Sequence, residues 1–373
     1  MHRPIWQYAL VALLVWLCLL YLVVTHDVAP LQHVHPLDDD HIISKIQNST
    51  LGFQEISVIS LPERTDKRDA WTIMSSLFDL DIGLADGVDG AAVSEKALPH
   101  TFHQAPGIVG CWRAHMNVLQ DIVNRNVASA LVFEDDADWD VSIRDQLVQF
   151  GRGARWLQNT TDDINNVDSP YGTEWDILWL GNCAAKADHW DDRRFVLEND
   201  TTADPSELRS YGIGPGTMYW PGSHTRLVFS QSYGVCTTAY AVSQSGARKM
   251  LYHLGLQPFN APLDLALSDM CKNKSSAFNC IGVWPPLIGV YRAAGRWSSD
   301  IEAGGGGEVA VAHAERIVYS ARMNVERLLR GDDRFVAANP GFSETELTMD
   351  EISAAIGRPE RLSETNFKWE QGH

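Results

Sequence analysis

Hydrophobic positions along this chain fall into three patterns. The first is an almost unbroken apolar run from Ile5 to Val24, broken by Gln7, in which Ala9 to Val24 carries no strongly polar side chain. At 1.5 Å per helical residue, about 20 residues cross a hydrocarbon layer of about 30 Å. The second pattern is a short apolar run followed by helical spacing. Ile56 to Leu61 reads as a strand, and Asp66 to Leu80 as a helix with Ala70, Ile73, Met74 and Leu77 on one face. Arg113 to Asn126 reads as a helix and Ala130 to Phe133 as a strand; Asp176 to Leu180 is another strand. Cys236 to Val242 then Ser243 to Leu254 repeats strand and helix, with Ser243 as N-cap. Strands alternating with helices predict an α/β fold with a mostly parallel sheet covered on both faces.

The third pattern is a lapse into turn residues. Between Trp190 and His224 lie Pro205, Gly212, Gly214, Pro215, Gly216, Pro221 and Gly222. A loop this long in a compact domain is a binding segment or a plain surface excursion, and it is read here as facing an acceptor. After the flexible break Gly304 to Gly307, Glu308 to Leu329 has helical periodicity, and the polar chain from Arg330 onward predicts a loosely ordered tail. The resulting plan is a tail at 1–4, a membrane span at 5–24, a stem at 25–54, a main domain at 55–300 and a C-terminal helix with tail at 301–373.

Charge sets the orientation of the span. His2, Arg3 and the free amino terminus precede it; Asp27 and Asp38 to Asp40 follow, with no Lys or Arg before Lys45. That bias predicts a cytosolic N-terminus and a type II signal anchor. A cleaved signal peptide is the rival. It needs small residues three and one positions before the cut, and neither Val23 with Thr25 nor Asp27 with Ala29 fits well. Either reading delivers residues 26–373 to the secretory lumen, so the expected address is the Golgi or endoplasmic reticulum membrane. Four Asn-X-Ser/Thr acceptors, at Asn48, Asn159, Asn199 and Asn273, agree with that address. Of the 6 cysteines, Cys18 lies in the span; the other five allow two disulfides and one thiol, with Cys271 and Cys280 the local candidate pair. Neither a Cys-X-X-Cys nor a His-X-X-X-His spacing is present to suggest a zinc site, so the cysteines read as structural. A formal charge of −18 disfavours a nucleic-acid partner.

Three stretches carry candidate chemistry. In ALVFEDD, Ala130 to Asp136, an apolar strand delivers Glu134, Asp135 and Asp136 to the point where it leaves the sheet. Ligands of open α/β sheets bind at that end of the strands. Crowded carboxylates there suit a hard divalent cation, Mn²⁺ or Mg²⁺, shared with diphosphate oxygens. A solvated acidic turn, continued by Asp138 and Asp140, is the bland alternative. In VISLPERTDKRD, the strand end is followed by Arg64, Lys67 and Arg68, cations that a nearby anion would help to explain at a helix start. In GIVGCWRAH, Gly110 permits close backbone approach and His115 follows one turn later, as a ligand contact or as a satisfied structural histidine. Walker, nucleophile-elbow and dinucleotide fingerprints are absent.

In this order, ISVISLPERTDKRDAW, GCWRAH, ALVFEDDADW, WDILWLG, AYAVSQSGARKML and PLDLAL resemble glycosyltransferase family 25 over about residues 55–300, and PPLIGVYRAAGRWSSDI is similar to its fungal members. The resemblance implies a GT-A type nucleotide-sugar-binding fold, a UDP-sugar donor (UDP-galactose in the better-known members), Mn²⁺, and inversion at the anomeric carbon. It further implies Glu134, Asp135 and Asp136 as the acidic metal and nucleotide motif. Asp136 would be the main ligand and Asp135 a contact to ribose or metal. Ser60, Arg64 and Arg68 would lie in the donor pocket, with Gly110 and His115 in the family's Gly-X-X-X-Ser-His stretch. Ala114 stands where that stretch has Ser. Inversion needs a base; the resemblance points to Asp264, with Asp269 second, although Asp264 also suits a helix-capping role.

The expected function is transfer of a sugar to a glycan or glycoprotein hydroxyl. A catalytically silent luminal binding module is the main alternative. A glycoside hydrolase is a third reading, but its two carboxylates stand at separated positions without a nucleotide pocket.

Overall fold

The computed structural model describes residues 45–160, 169–191, 193–204, 224–296, 299–301, 308–338, 346–357 and 362–363. These residues fall in the unit Pro36–His373. The predicted span Ile5 to Val24, the stem up to residue 44 and positions 205–223 of the predicted acceptor loop lie outside them. Among the described residues no helix is long and apolar enough to cross a membrane.

The chain runs β1 (Glu55–Ser60), α1 (Thr65–Leu77), β2 (Ile82–Asp86), α2 (Pro106–Asn124), β3 (Ser129–Glu134), β4 (Ala137–Trp139), α3 (Ile143–Leu157), β5 (Ile177–Gly181) and β6 (Ala184–Ala187). It continues as β7 (Arg194–Glu198), β8 (Thr225–Val235), β9 (Ala239–Ser243), α4 (Gln244–Gly255), α5 (Leu263–Lys272), β10 (Cys280–Trp284), β11 (Ile288–Arg292) and β12 (His313–Glu315). The last elements are α6 (Val325–Arg330), β13 (Arg334–Phe335), β14 (Leu347–Thr348), α7 (Met349–Ala354) and β15 (Leu362–Ser363).

The main sheet has the order β15-β7-β8-β10-β5-β9-β3-β1-β2, with β6 paired to β8. β1 pairs in parallel with β2 and β3, and β10 with β5. β9 lies antiparallel between β3 and β5, so those two strands share a direction. The sheet is therefore mixed and largely parallel at its centre, which corrects the simpler expectation. Strand direction was illegible in AYAVS because burial on both faces produces the same continuous apolar run either way.

Alternation along the central strands explains the two faces. Leu131 and Phe133 of β3, with Leu178 and Leu180 of β5, join the core that holds Trp71 of α1 and Leu147 of α3. Ala130, Val132, Ile177 and Trp179 point the other way, into the core that holds Trp112 of α2 and Met250 of α4. Burying each such large side chain contributes roughly 1.5–3 kcal/mol, so both helical layers are held by the same strands. As expected, Ser243 caps α4, accepting from the Gly246 N–H at 3.0 Å. The cysteines pair as Cys183–Cys236 and Cys271–Cys280, leaving Cys111 free among the described residues.

Several boundaries differ from the sequence pattern. α1 stops at Leu77, and Asp79 just beyond it has a φ of 49°. α2 begins at Pro106 rather than Arg113; proline suits the first helical position, whereas Gly107 and Gly110 disguise the helix by lowering its propensity. The strand expected from Cys236 starts at Ala239. The expected loop after Trp190 contains β7, an internal strand of the main sheet.

The helix expected over Glu308 to Leu329 is replaced by β12, an irregular segment and the short α6. Its middle is claimed by another backbone: the Val141 N–H donates to the Tyr319 carbonyl at 2.9 Å, and the Ala321 N–H to the Trp139 carbonyl at 2.8 Å. Ile317 to Ala321 are all buried, which a helix with one apolar stripe would not achieve. Beyond Arg330 the described residues include a β13–β14 pair, α7 and the edge strand β15. Structure packed on the main core thus continues past residue 300.

Candidate functional site

A cleft of about 460 Å³ opens at the carboxyl ends of β1 and β3. Ser60, Lys67, Gly110, Cys111, His115, Glu134, Asp135, Asp136 and Asp300 are among the residues that line it. β3 belongs to the main sheet, whereas β4, two residues later, pairs with β11 in a three-stranded sheet. The intervening turn at Asp135 and Asp136 projects its carboxylates where the chain changes sheets. All three acidic residues line the cleft and each is at most partly exposed, so a freely solvated turn is excluded.

The turn is held from behind. Trp71 Nε1 donates to the Asp135 carbonyl at 2.9 Å, and Arg322 Nη2 donates to the same oxygen at 3.0 Å. The Tyr291 N–H donates to the Asp136 carbonyl at 2.8 Å. Asp138 and Asp140, which continue the acidic run in sequence, are fully buried. Asp138 accepts from Ser320 Oγ and from the Arg322 N–H; Asp140 accepts from the Ser142 N–H at 3.0 Å and the Tyr319 N–H at 2.9 Å. Their carboxylates bind the irregular segment to β4, a structural task distinct from the cleft.

Each cleft carboxylate faces a different partner. Glu134 Oε1 accepts from Thr237 Oγ1 at 2.6 Å and lies 3.4 Å from His115 Nε2. Asp135 Oδ1 accepts from Lys67 Nζ at 2.5 Å. Asp136 Oδ2 lies 3.2 Å from Arg292 Nη1. Burial resists ionisation of Glu134, but His115, Thr237 and Lys67 hold it below the usual carboxylate range. For Asp136, burial and the neighbouring Glu134 push the carboxyl up, and Lys67 and Arg292 only partly offset them. Negative charge at Asp136 is therefore undercompensated by the protein. That excess, together with an all-oxygen donor set, fits a hard divalent cation.

Of the basic residues after β1, Lys67 is the one that lines the cleft. Arg64 clasps Asp66, with Nε 2.9 Å from Oδ1 and Nη2 2.8 Å from Oδ2, and also donates to Asp300. Arg68 donates to the Ser60 carbonyl at 2.7 Å, the Leu61 carbonyl at 3.2 Å and Asp86 at 2.6 Å, tying β1 to β2. Spacing from Trp71 does not single out Lys67, because Arg68 lies within one turn of Trp71 as well; the contact with Asp135 is what sets Lys67 apart. Ser60 is buried at the end of β1.

Gly110 sits in α2 where a Cβ would lie 2.3 Å from the Val88 carbonyl oxygen, so its lack of a side chain lets the loop after β2 close one wall. His115 is buried in α2, and its Nδ1 lies 2.9 Å from Tyr240 Oη. Cys111, Thr237, Tyr240 and Asp300 were not singled out from the sequence. Asp264 lies in the first turn of α5, outside the cleft lining, and accepts from the Cys236 N–H and the Leu265 N–H at 2.8 Å each. Asp269 is exposed on the same helix, turned about 140° from Asp264 at 3.6 residues per turn.

Asn48, Asn159, Asn199 and Asn273 are all exposed. Residues 53–267 match the model of glycosyltransferase family 25 (LPS biosynthesis protein). An inactive glycosyltransferase 25 family member 3 of Homo sapiens is 26% identical over 282 residues, covering 68% of this chain and 40% of that protein. Procollagen galactosyltransferase 1 of Danio rerio is 28% identical over 221 residues, covering 55% of this chain and 29% of the relative. Procollagen galactosyltransferase 2 of Mus musculus is 21% identical over 246 residues, covering 61% and 32%. The chain thus spans less than half the length of these relatives.

Proposed function

We propose that this chain, which belongs to glycosyltransferase family 25, transfers a sugar, galactose in our reading, from a UDP-sugar to a hydroxyl of a glycan or glycoprotein with inversion. The observation that carries this reading is the convergence of Lys67, Glu134, Asp135 and Asp136 on one cleft at the carboxyl ends of β1 and β3. A nucleoside diphosphate needs cationic donors for its oxygens and a cation to balance them, and both kinds of group face the cleft. Asp135 and Asp136, with Glu134 beside them, would hold Mn²⁺ or Mg²⁺, which when bound supplies charge neutralisation for the departing diphosphate. Lys67 would bind phosphate oxygens, while Trp71 and Arg322 keep the acidic turn in place. We further propose that the domain works in the secretory lumen behind the anchor at Ile5 to Val24, a reading supported by the exposure of the four glycosylation acceptors.

A second reading is a silent luminal module, favoured by the name of the inactive human relative. Against it stands the full acidic set, present and held in the cleft. The test is a melting-temperature panel of UDP-sugars with Mn²⁺, followed by UDP release from a glycan acceptor by the wild type and Asp136→Ala. A donor-specific shift with turnover lost in the variant is expected. A donor-specific shift without turnover in the wild type favours the silent module, and absence of any shift removes the nucleotide site.

A further inference from the structure

We infer that Cys111, His115 and Glu134 form a second, zinc-type cation site in the wall of the cleft, with Glu134 turned toward His115 and Asp135 and Asp136 left to the hard cation. Cys111 and His115 are four residues apart on α2, which puts them on one face of the helix, and Glu134 arrives opposite them at the end of β3. One ligand atom from each, the thiol sulfur, an imidazole nitrogen and a carboxylate oxygen, lies within 4.8 Å of the other two. Modest side-chain movement brings such a set to the bond lengths of about 2.0–2.3 Å that Zn²⁺ requires.

The surroundings orient the ligands. Tyr240 Oη at 2.9 Å engages His115 Nδ1 and leaves Nε2 facing Glu134. Thr237 Oγ1 donates to Glu134 Oε1 at 2.6 Å. Outer contacts of this kind fix the ring orientation and carboxylate direction in zinc sites. All three residues line the cleft, so a fourth coordination position would open toward it.

The chemistry separates this set from the acidic turn. Sulfur and imidazole donors favour Zn²⁺, whereas Asp135 and Asp136 offer only hard oxygens suited to Mn²⁺ or Mg²⁺. On binding, the Cys111 thiol passes its proton to solvent and the sulfur bonds to the metal. The site does not rest on the transferase reading; it would stand equally if this chain were catalytically silent.

Cobalt tests the assignment, because Co²⁺ replaces Zn²⁺ and a cobalt–thiolate bond gives a near-ultraviolet charge-transfer band. The full chain carrying Cys18→Ser is titrated with Co²⁺, leaving Cys111 as the thiol outside the two disulfides. The expected result is one equivalent that carries the sulfur band and tetrahedral visible absorption, both bleached by Zn²⁺, while any Co²⁺ held by the oxygens of the acidic turn adds no sulfur band. Adding Cys111→Ser should abolish the sulfur band while circular dichroism and the melting temperature remain those of the parent. Tyr240→Phe should weaken Zn²⁺ binding about tenfold or more while keeping the band. Asp136→Ala should leave the band intact. Failure of Co²⁺ to bind, binding without a sulfur band, or an unchanged Zn²⁺ affinity in Cys111→Ser would each overturn the proposal. Loss of the band in a folded Asp136→Ala would overturn it too, by assigning the ion to the acidic turn.

Discussion

Lys67, in the first turn of α1, donates to Asp135 at the end of β3 across 2.5 Å. Both side chains are nearly buried, at 11% and 12% exposure, so the pair is shielded from the screening that weakens surface ion pairs. Burial by itself would lower the Lys67 pKa, but Asp135 and Asp136 raise it, and the lysine remains a cation.

Replacing Lys67 with Met removes that cation from a cleft already rich in carboxylates. Charge-assisted hydrogen bonds contribute about 1.5–3 kcal/mol, so UDP affinity in Mn²⁺ should fall about tenfold or more by calorimetry. The melting temperature should also drop, because Asp135 loses its counter-charge, and saturating Mn²⁺ should restore part of the loss. Unchanged UDP affinity would remove Lys67 from the phosphate site.

Asp300 accepts from Lys67 at 2.9 Å and from Arg64, placing an anion on two of the cations closest to the acidic turn. A diphosphate that needs these donors must compete with it. Asp300→Asn keeps the shape and removes the charge. A partly exposed pair contributes up to about 1 kcal/mol, so UDP should bind up to about fivefold more tightly. Weaker binding by this variant would show that Asp300 supports the donor instead of opposing it.

These two residues mark where sequence reading reached its limit. The β3 strand and its acidic end were legible because an apolar run stopped abruptly in charge, a local contrast that needs no tertiary knowledge. Arg64, Lys67 and Arg68 looked equivalent in one dimension and share about one face of the helix start; tertiary partners separate them, Asp66 for Arg64, Asp86 for Arg68 and Asp135 for Lys67. Asp300 is separated from Lys67 by 233 positions, and no local pattern reports that contact. The segment Ile317 to Ala321 misled because helical periodicity was real, yet hydrogen bonds to Trp139 and Val141 fixed its backbone otherwise.

Asp264 offers a sharp choice between base and brace. Its carboxylate holds the Cys236 N–H beside a disulfide and lies outside the cleft lining. Asp264→Asn retains an oxygen acceptor for that N–H, whereas Asp264→Ala removes it. If the residue is a brace, Asn should keep nearly full kcat and Ala should lower the melting temperature, at a cost of about 1–3 kcal/mol for the orphaned donor. A general base predicts instead that Asn lowers kcat by about 10²–10⁴ with an unchanged melt. Steady-state kinetics beside thermal melts separate the two.

Acid stability can be argued from Asp191, at the turn leading into β7. Burial works against its ionisation, but Arg193 at 2.8 Å, Ser230 at 2.6 Å and the Arg193 N–H outweigh it and hold the pKa near about 2, below the ordinary 3.8. A depressed carboxyl stabilises the fold above its unfolded pKa and loses that contribution as pH falls through the folded value. Solvent screening at this half-buried pair limits the effect to roughly 1 kcal/mol. Asp191→Asn should therefore be less stable than the wild type at pH 7 by about that amount in urea unfolding, and the difference should shrink as pH falls from about 4 to about 2. A difference that stays constant across that window would mean the Asn variant loses only packing or a neutral hydrogen bond, and the ion pair with Arg193 would contribute nothing measurable.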